Sequence, residues 1–356
     1  MSKHNPQISV YKGIAILLVV LGHAGCGDLL GRIIYLFHMP LFYFISGYLF
    51  KDKYLDTTKS FFFHKIKGLY VPFVVYSLIF LLLHNLLVRV HFDSIVFSIH
   101  NLCEGILKAF LFLNIIPMQS QVWFFRSLFI SLIIFYVVIW LGHRFYWHNY
   151  RVMVLLGFIF LSGLLISRFG ILLPLHFNRD MVCVGFIGLG YFCKKYNLLN
   201  YTRNCNLYLT GGVSILLLLS LGIVGYREDY QKAIFTNPLV LILGGISGIY
   251  LIWIISQHLV RIGKIGNLLA LFGDLSLYIF IFHVFFFRLG NIFKVWFFHL
   301  DVNRIADIQI IYDPNNGLWT LFYVLTATFL STILGLGILK LKDRVFSYIH
   351  PHRHYS

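Results

Sequence analysis

Long apolar runs separated by short polar and basic stretches set the pattern of this chain. The runs at 8–26, 30–50, 68–90, 121–142, 151–168, 178–193, 207–225, 239–258, 267–288 and 318–340 hold roughly 20 residues each, the length an α-helix needs to cross the hydrocarbon core of a bilayer. They predict an all-α fold: a polytopic transmembrane helical bundle of about ten spans, forming one membrane-embedded domain over residues 1–356. The sixth run is the shortest. The longest polar segments, 91–120 and 289–317, predict lids or short interfacial helices. The segment 51–67, "KDKYLDTTKSFFFHKIK", interleaves lysines with aromatic residues and predicts an amphipathic stretch along the headgroups. No internal repeat and no low-complexity tract interrupts the pattern.

Composition supports the same reading. The chain is 59% hydrophobic and 12% charged, with mean hydropathy +0.81, whereas a soluble protein carries about 25% charged residues. The first run has no small-x-small cleavage site, and Lys12 stands where the apolar part of a signal peptide begins, so the run is expected to stay as a span. "HAGC" resembles a lipoprotein cleavage box, except that His23 takes the place of an aliphatic residue. Five cysteines, at 26, 103, 183, 193 and 205, show no CxxC or Cys/His spacing, which predicts small core residues or free thiols and no metal site. The net charge of +16 has no soluble basic domain to act through, so nucleic acid is not an expected partner. Membrane topology explains the charge better. With the N-terminus inside, seventeen Lys and Arg, from Lys3 through Arg203 to Arg353, fall in inner segments and eight (Lys108, Arg168, Arg179, Arg227, Lys232, Arg288, Lys294 and Arg304) in outer ones, which predicts both termini in the cytoplasm.

Against this background the intramembrane polar residues need a reason. Lys12 and His23 are eleven residues apart, almost three helical turns, which puts both on one face about 16 Å apart. His23 sits between Gly22 and Ala24, which leave room beside the imidazole. His38 precedes Pro40 and the small-residue step Ser46–Gly47. Arg126 lies one turn inside the fourth run, and the ninth carries Asp274, Ser276, Tyr278 and His283. Simpler roles exist for each. A lysine near a span end snorkels to the headgroups; His84 and His283 suit hydrogen bonds to a neighbouring helix; Pro40 suits a kink or helix start; Arg126 serves equally as an interfacial anchor or a ligand.

"YKGIAILLVVLGH" followed by "FHMPLFYFISGYLF" resembles the opening of the acyltransferase-3 family of integral membrane acyltransferases, and is especially similar to its fucose 4-O-acetylase-like branch. The family signature is an arginine, ten residues and a histidine. His23 matches it, and Lys12 stands where arginine is usual. Pro40, Leu41, Phe42, Ser46 and Gly47 match the second-span pattern, and Trp123–Phe124 and "SLYIFIFH" also resemble family features.

The resemblance implies acetyl transfer from cytosolic acetyl-CoA to a hydroxyl of a cell-surface or exported carbohydrate or glycolipid, by a multi-pass protein of a bacterial inner or plasma membrane. Acetyl-CoA is then the donor, no cofactor is permanently bound, and membrane lipids surround the protein. His23 becomes the general base that deprotonates the acceptor hydroxyl, or the site of a transient acetyl-histidine. Lys12 becomes the docking charge for the coenzyme A phosphates, a point charge without arginine's bidentate fork. Arg126, His38 and Ser46 become candidate donors to the oxyanion or the substrate. Asp274 or Tyr278 is placed to orient an imidazole if the ninth span packs on the first. A carbohydrate or lipid-linked oligosaccharide transporter without acyl transfer is the alternative, weakened by the missing repeat. A sensor or scaffold without catalysis needs no shared face for Lys12 and His23.

Overall fold

The computed structural model describes residues 5–113, 117–171, 173–201, 206–235, 237–310 and 317–349. Lys3, Arg203 and Arg353 of the charge tally, and Cys205, lie outside them. The described residues form an all-α polytopic bundle in which nine helices are long and apolar enough to cross a membrane. Apolar side chains as large as Leu82, Phe158, Ile223 and Phe293 stand exposed along these helices, which suits a lipid surround and no aqueous one. The chain divides into two compact units, residues 27–257 and the remainder.

The larger unit holds α2 (Asp28–Tyr48), α3 (Thr58–Arg89), α4 (Ile99–Phe110), α5 (Trp123–Arg144), α6 (Asn149–Arg168), α7 (Phe177–Lys195), α8 (Leu207–Val224) and α9 (Pro238–Leu259). The stretch expected as a separate headgroup segment at 51–67 joins the third span: helix runs from Thr58 to Arg89 through a π-turn at Ile66–Tyr70. Pro72 explains the turn. Its ring crowds the carbonyl four residues back and it offers no N–H, and a local change of hydrogen-bond register absorbs both. Pro40 is tolerated inside α2, which continues past it to Tyr48. The Ser46–Gly47 step has a packing role. A Cβ on Gly47 would lie 1.9 Å from the Ile187 carbonyl oxygen, and one on Gly190 would lie 1.9 Å from that of Phe44, so α2 and α7 approach backbone to backbone. His84 bonds the Ile95 carbonyl of the following loop at 2.7 Å, not a neighbouring helix. Because α7 carries Asn178, Arg179 and Asp180, it is the one expected span that falls outside the nine apolar helices, although those three side chains are buried.

The smaller unit holds α1 (Pro6–His23), α10 (Gly263–Asp274), α11 (Ser276–Phe298) and α12 (Gly317–Ile349). Asn5 caps α1 by accepting from Gln7 N at 3.1 Å, with Pro6 at the first turn. The expected ninth span, 267–288, is corrected: Leu275 separates two helices, and the long apolar one is α11, about ten residues further on. The hydropathy window covered both helices because "LLALFGDLSLYIFIFH" stays apolar across the break.

The shift also removes Arg288 and Lys294 from the outer loop. Arg288, Asn291 and Lys294 recur every third residue on α11 and are 3%, 0% and 2% exposed, one helix face. Arg288 donates to the Asp307 carbonyl and Lys294 to that of Ile310. Asn291 Nδ2 donates to the Ile305 and Asp307 carbonyls (3.0 and 2.7 Å), and its Oδ1 accepts from Tyr323 OH at 2.6 Å and Ile310 N at 3.2 Å. Residues 305–310 are thereby tied to the helix.

Candidate functional site

In the smaller unit α1 meets α10 at a pair of glycines. A Cβ on Gly13 would lie 1.9 Å from the Leu269 carbonyl oxygen, and one on Gly273 would lie 1.8 Å from that of Ser9. The close approach aligns three polar residues. Ser9 Oγ donates to Asp274 Oδ1 at 2.6 Å, and Lys12 Nζ lies 4.0 Å from the same oxygen. The Lys12 and Asp274 side chains are 26% and 44% exposed, so the pair stands at the protein surface and not in its core. Lys12 therefore meets a carboxylate across the helix contact. Asp274, expected as a possible orienter of an imidazole, sits with Lys12, almost three turns from His23. Tyr278 is packed against Gly335 of α12.

At the other end of α1, His23 is half-buried and contacts His283 of α11. The ring centroids are 5.3 Å apart and the planes nearly perpendicular, at 79°. His283 is fully buried, and its Nδ1 bonds the Ile279 and Phe280 carbonyls of its own helix at 3.1 and 2.9 Å. A carbonyl only accepts, so Nδ1 carries the hydrogen. Nε2 has no hydrogen-bond partner. This corrects the sequence reading of His283 as a link to a neighbouring helix. Its hydrogen bonds stay at home, and its ring meets the candidate base.

The three remaining candidates lie in the larger unit. His38 is buried, and its Nδ1 donates to Ile34 O at 2.9 Å. Ser46 Oγ donates to Phe42 O at 2.8 Å. Arg126 donates to the Leu175 carbonyl. Each donates to a backbone carbonyl in this state; donation from Ser46 Oγ or His38 Nδ1 to substrate requires an exchange of partners, whereas the Arg126 guanidinium has further N–H groups.

The sequence reading missed a buried ion pair in the same unit. Arg179 and Asp180, each 1% exposed, pair through Nε and Oδ1 at 3.1 Å. Ser127 Oγ donates to the same carboxylate oxygen at 2.6 Å and accepts from Tyr43 OH at 2.7 Å, and Arg179 covers the Trp123 ring with its guanidinium 4.6 Å from the centroid. Arg179 was counted only as an outer charge. The available signal was the triplet Asn-Arg-Asp at 178–180 inside an otherwise apolar run, which membrane burial makes costly unless paired. Among the described residues no cluster of His, Cys, Asp and Glu suits a metal ion, and Cys26, Cys103, Cys183 and Cys193 are not joined in disulfides.

Residues 5–336 match the family model of the acyltransferase-3 domain, described as an acyltransferase domain. No curated protein and no solved structure matches the chain.

Proposed function

The chain belongs to the acyltransferase-3 family and is a membrane acyltransferase; from that premise we propose that it transfers acetyl from cytosolic acetyl-CoA to a hydroxyl of a cell-surface or exported carbohydrate, with His23 as general base. The observation that carries this reading is the furnishing of α1: a partly exposed cation in its first half and an imidazole packed on a second imidazole at its end. The motifs in residues 11–50 support the fucose 4-O-acetylase-like branch.

In this scheme the coenzyme A phosphates exchange with Asp274 for the Lys12 ammonium. The pantetheine arm, extended along α1, brings the thioester toward His23, about 16 Å away. His23 takes the proton of the acceptor hydroxyl as its oxygen attacks the thioester carbonyl. Collapse of the tetrahedral intermediate breaks the carbon–sulfur bond, and the imidazolium returns the proton to the leaving thiolate. The contact with His283 acts on orientation: a half-buried imidazole held edge-to-face has fewer ring positions to sample, which favours a productive geometry.

The charge bias supports cytoplasmic termini and the cytosolic donor side. Burial of Arg179, Arg288 and Lys294 removes three of the eight outer charges and widens the asymmetry. The test is transfer of label from acetyl-CoA to membrane glycans by the purified, reconstituted protein. His23→Gln is expected to reduce transfer by about 10²–10⁴ with the protein still folded. Retention of more than about a tenth of the rate removes His23 from the base role.

A further inference from the structure

At one end of the larger unit, where α5 and α7 finish and α6 begins, cations stand exposed without counter-charges. Arg144, Arg151 and Lys195 are exposed, and among the described residues none of the three makes an ion pair. Lys195 Nζ donates to the neutral amide oxygen of Asn149 at 2.9 Å and lies 5.5 Å from the centre of the Tyr191 ring. The Asp52 carboxylate is engaged elsewhere, accepting from Tyr191 OH at 3.1 Å. With His143, Trp147 and Asn149, Lys195 lines a cavity of about 310 Å³. A cation left unneutralised in a cavity at the ends of membrane helices suits an anionic lipid headgroup.

An apolar groove of about 320 Å³ adjoins this cavity, and Phe192 lines both. The groove follows α7 from Tyr196 to Gly185, with α6 and α9 supplying walls that include Phe160 and Ile246. Gly157 of α6 keeps it open, since a Cβ there would meet nothing within 4 Å. The described residues that line it include no charged side chain. Gly185 and Tyr196 are eleven residues apart, which makes the groove about 16 Å long. Half of the roughly 30 Å hydrocarbon core is about 15 Å, so the groove runs the depth of one leaflet.

Charge and length together select the occupant. A fatty acyl chain fills such a groove without leaving a polar group unpaired, whereas the amides of a pantetheine arm would lose their hydration there. We propose that the larger unit binds one anionic phospholipid, with its phosphate at Lys195 and one acyl chain lying along α7 as far as Gly185. The site is built from α5, α6, α7 and α9 alone and does not depend on acyl transfer.

The experiment titrates delipidated full-length protein, in a mild neutral detergent, with dioleoyl phosphatidylglycerol or dioleoyl phosphatidylcholine, and counts retained lipid by native mass spectrometry. The anionic lipid should be retained in preference. Lys195→Gln should weaken its binding about fivefold, the worth of one cation beside an anionic lipid, and leave the phosphatidylcholine unchanged. Gly157→Leu, which fills the groove, should weaken both lipids at least about fivefold, with thermal unfolding confirming that both variants are folded. Dihexanoyl phosphatidylglycerol, too short to reach Gly185, probes the groove without any substitution and should bind more weakly than the dioleoyl lipid. Equal retention of the two headgroups overturns the proposal, as does unchanged binding in either variant or equal binding of the short and long chains. Displacement of the lipid by acetyl-CoA also overturns it, because the cavity would then serve the donor.

Discussion

Gly13→Ala tests whether the glycine contact between α1 and α10 is what assembles the Lys12 end of the site. The added methyl carbon would sit 1.9 Å from the Leu269 carbonyl oxygen, where ordinary contact begins near 3.4 Å. The obstacle is backbone, so no rotamer change relieves it, and the helices must part by roughly 1.5 Å. Overpacking of this kind costs about 1–3 kcal/mol. The Ser9–Asp274 hydrogen bond, 2.6 Å long, does not survive such a displacement. Because Asp274 is nearly half exposed, its loss adds only about 1 kcal/mol. Alanine's better helix propensity returns about 1 kcal/mol. The expected net destabilisation is therefore about 2 kcal/mol. Gly157→Ala on α6 is the control, since a Cβ there meets nothing within 4 Å, and it should hold or raise Tm. Thermal unfolding of both variants in the same detergent gives the comparison, with acetyl-CoA binding measured in parallel. If Gly13→Ala proves as stable as Gly157→Ala and binds acetyl-CoA normally, the close crossing does not organise the Lys12 site.

Three other outcomes follow from the geometry. Lys12→Arg should keep acetyl-CoA affinity, whereas Lys12→Glu, which sets a second carboxylate beside Asp274, should lose at least about tenfold; normal binding by Lys12→Glu in a calorimetric titration reduces Lys12 to an anchor. Asn291→Leu removes three hydrogen bonds that hold 305–310, so limited proteolysis should cut this segment faster than in the parent protein; equal rates would assign the tether to Arg288 and Lys294 alone. Asp56→Cys should react with a membrane-impermeant thiol reagent only from the cytoplasmic side and Asp301→Cys only from outside, both in a background where Cys103 is replaced, and labelling of Asp301→Cys from within reverses the proposed orientation.

Helical class and membrane residence were legible because roughly 20-residue apolar runs have few other physical outcomes. Helix breaks inside apolar sequence were not. Leu275 ends α10 without a proline, and the single charge beside it at Asp274 barely lowers the mean hydropathy of a span-length window, so the division of the expected ninth span was hidden, and His283 was placed without its true neighbour. Lys12 and His23 stood out because each is polar within one apolar helix. Arg179 did not, because a hydropathy window credits a charge to the nearest loop whether or not a partner lies beside it. Pairing with Asp180, the next residue, was open to the sequence through the triplet at 178–180, whereas the contacts with Ser127 and Trp123 are tertiary and only packing reveals them.

The tether on α11 carries an evolutionary corollary. Arg288, Asn291 and Lys294 grip residues 305–310 almost entirely through main-chain atoms, and every amino acid presents the same carbonyl. The segment's path is thus encoded in the helix, while its own side chains are released from the task of folding it. Related chains are free to rewrite those side chains, and with them whatever the segment touches, at little risk to the architecture. Variation there should be broad where the three gripping positions are kept and should collapse where they are lost.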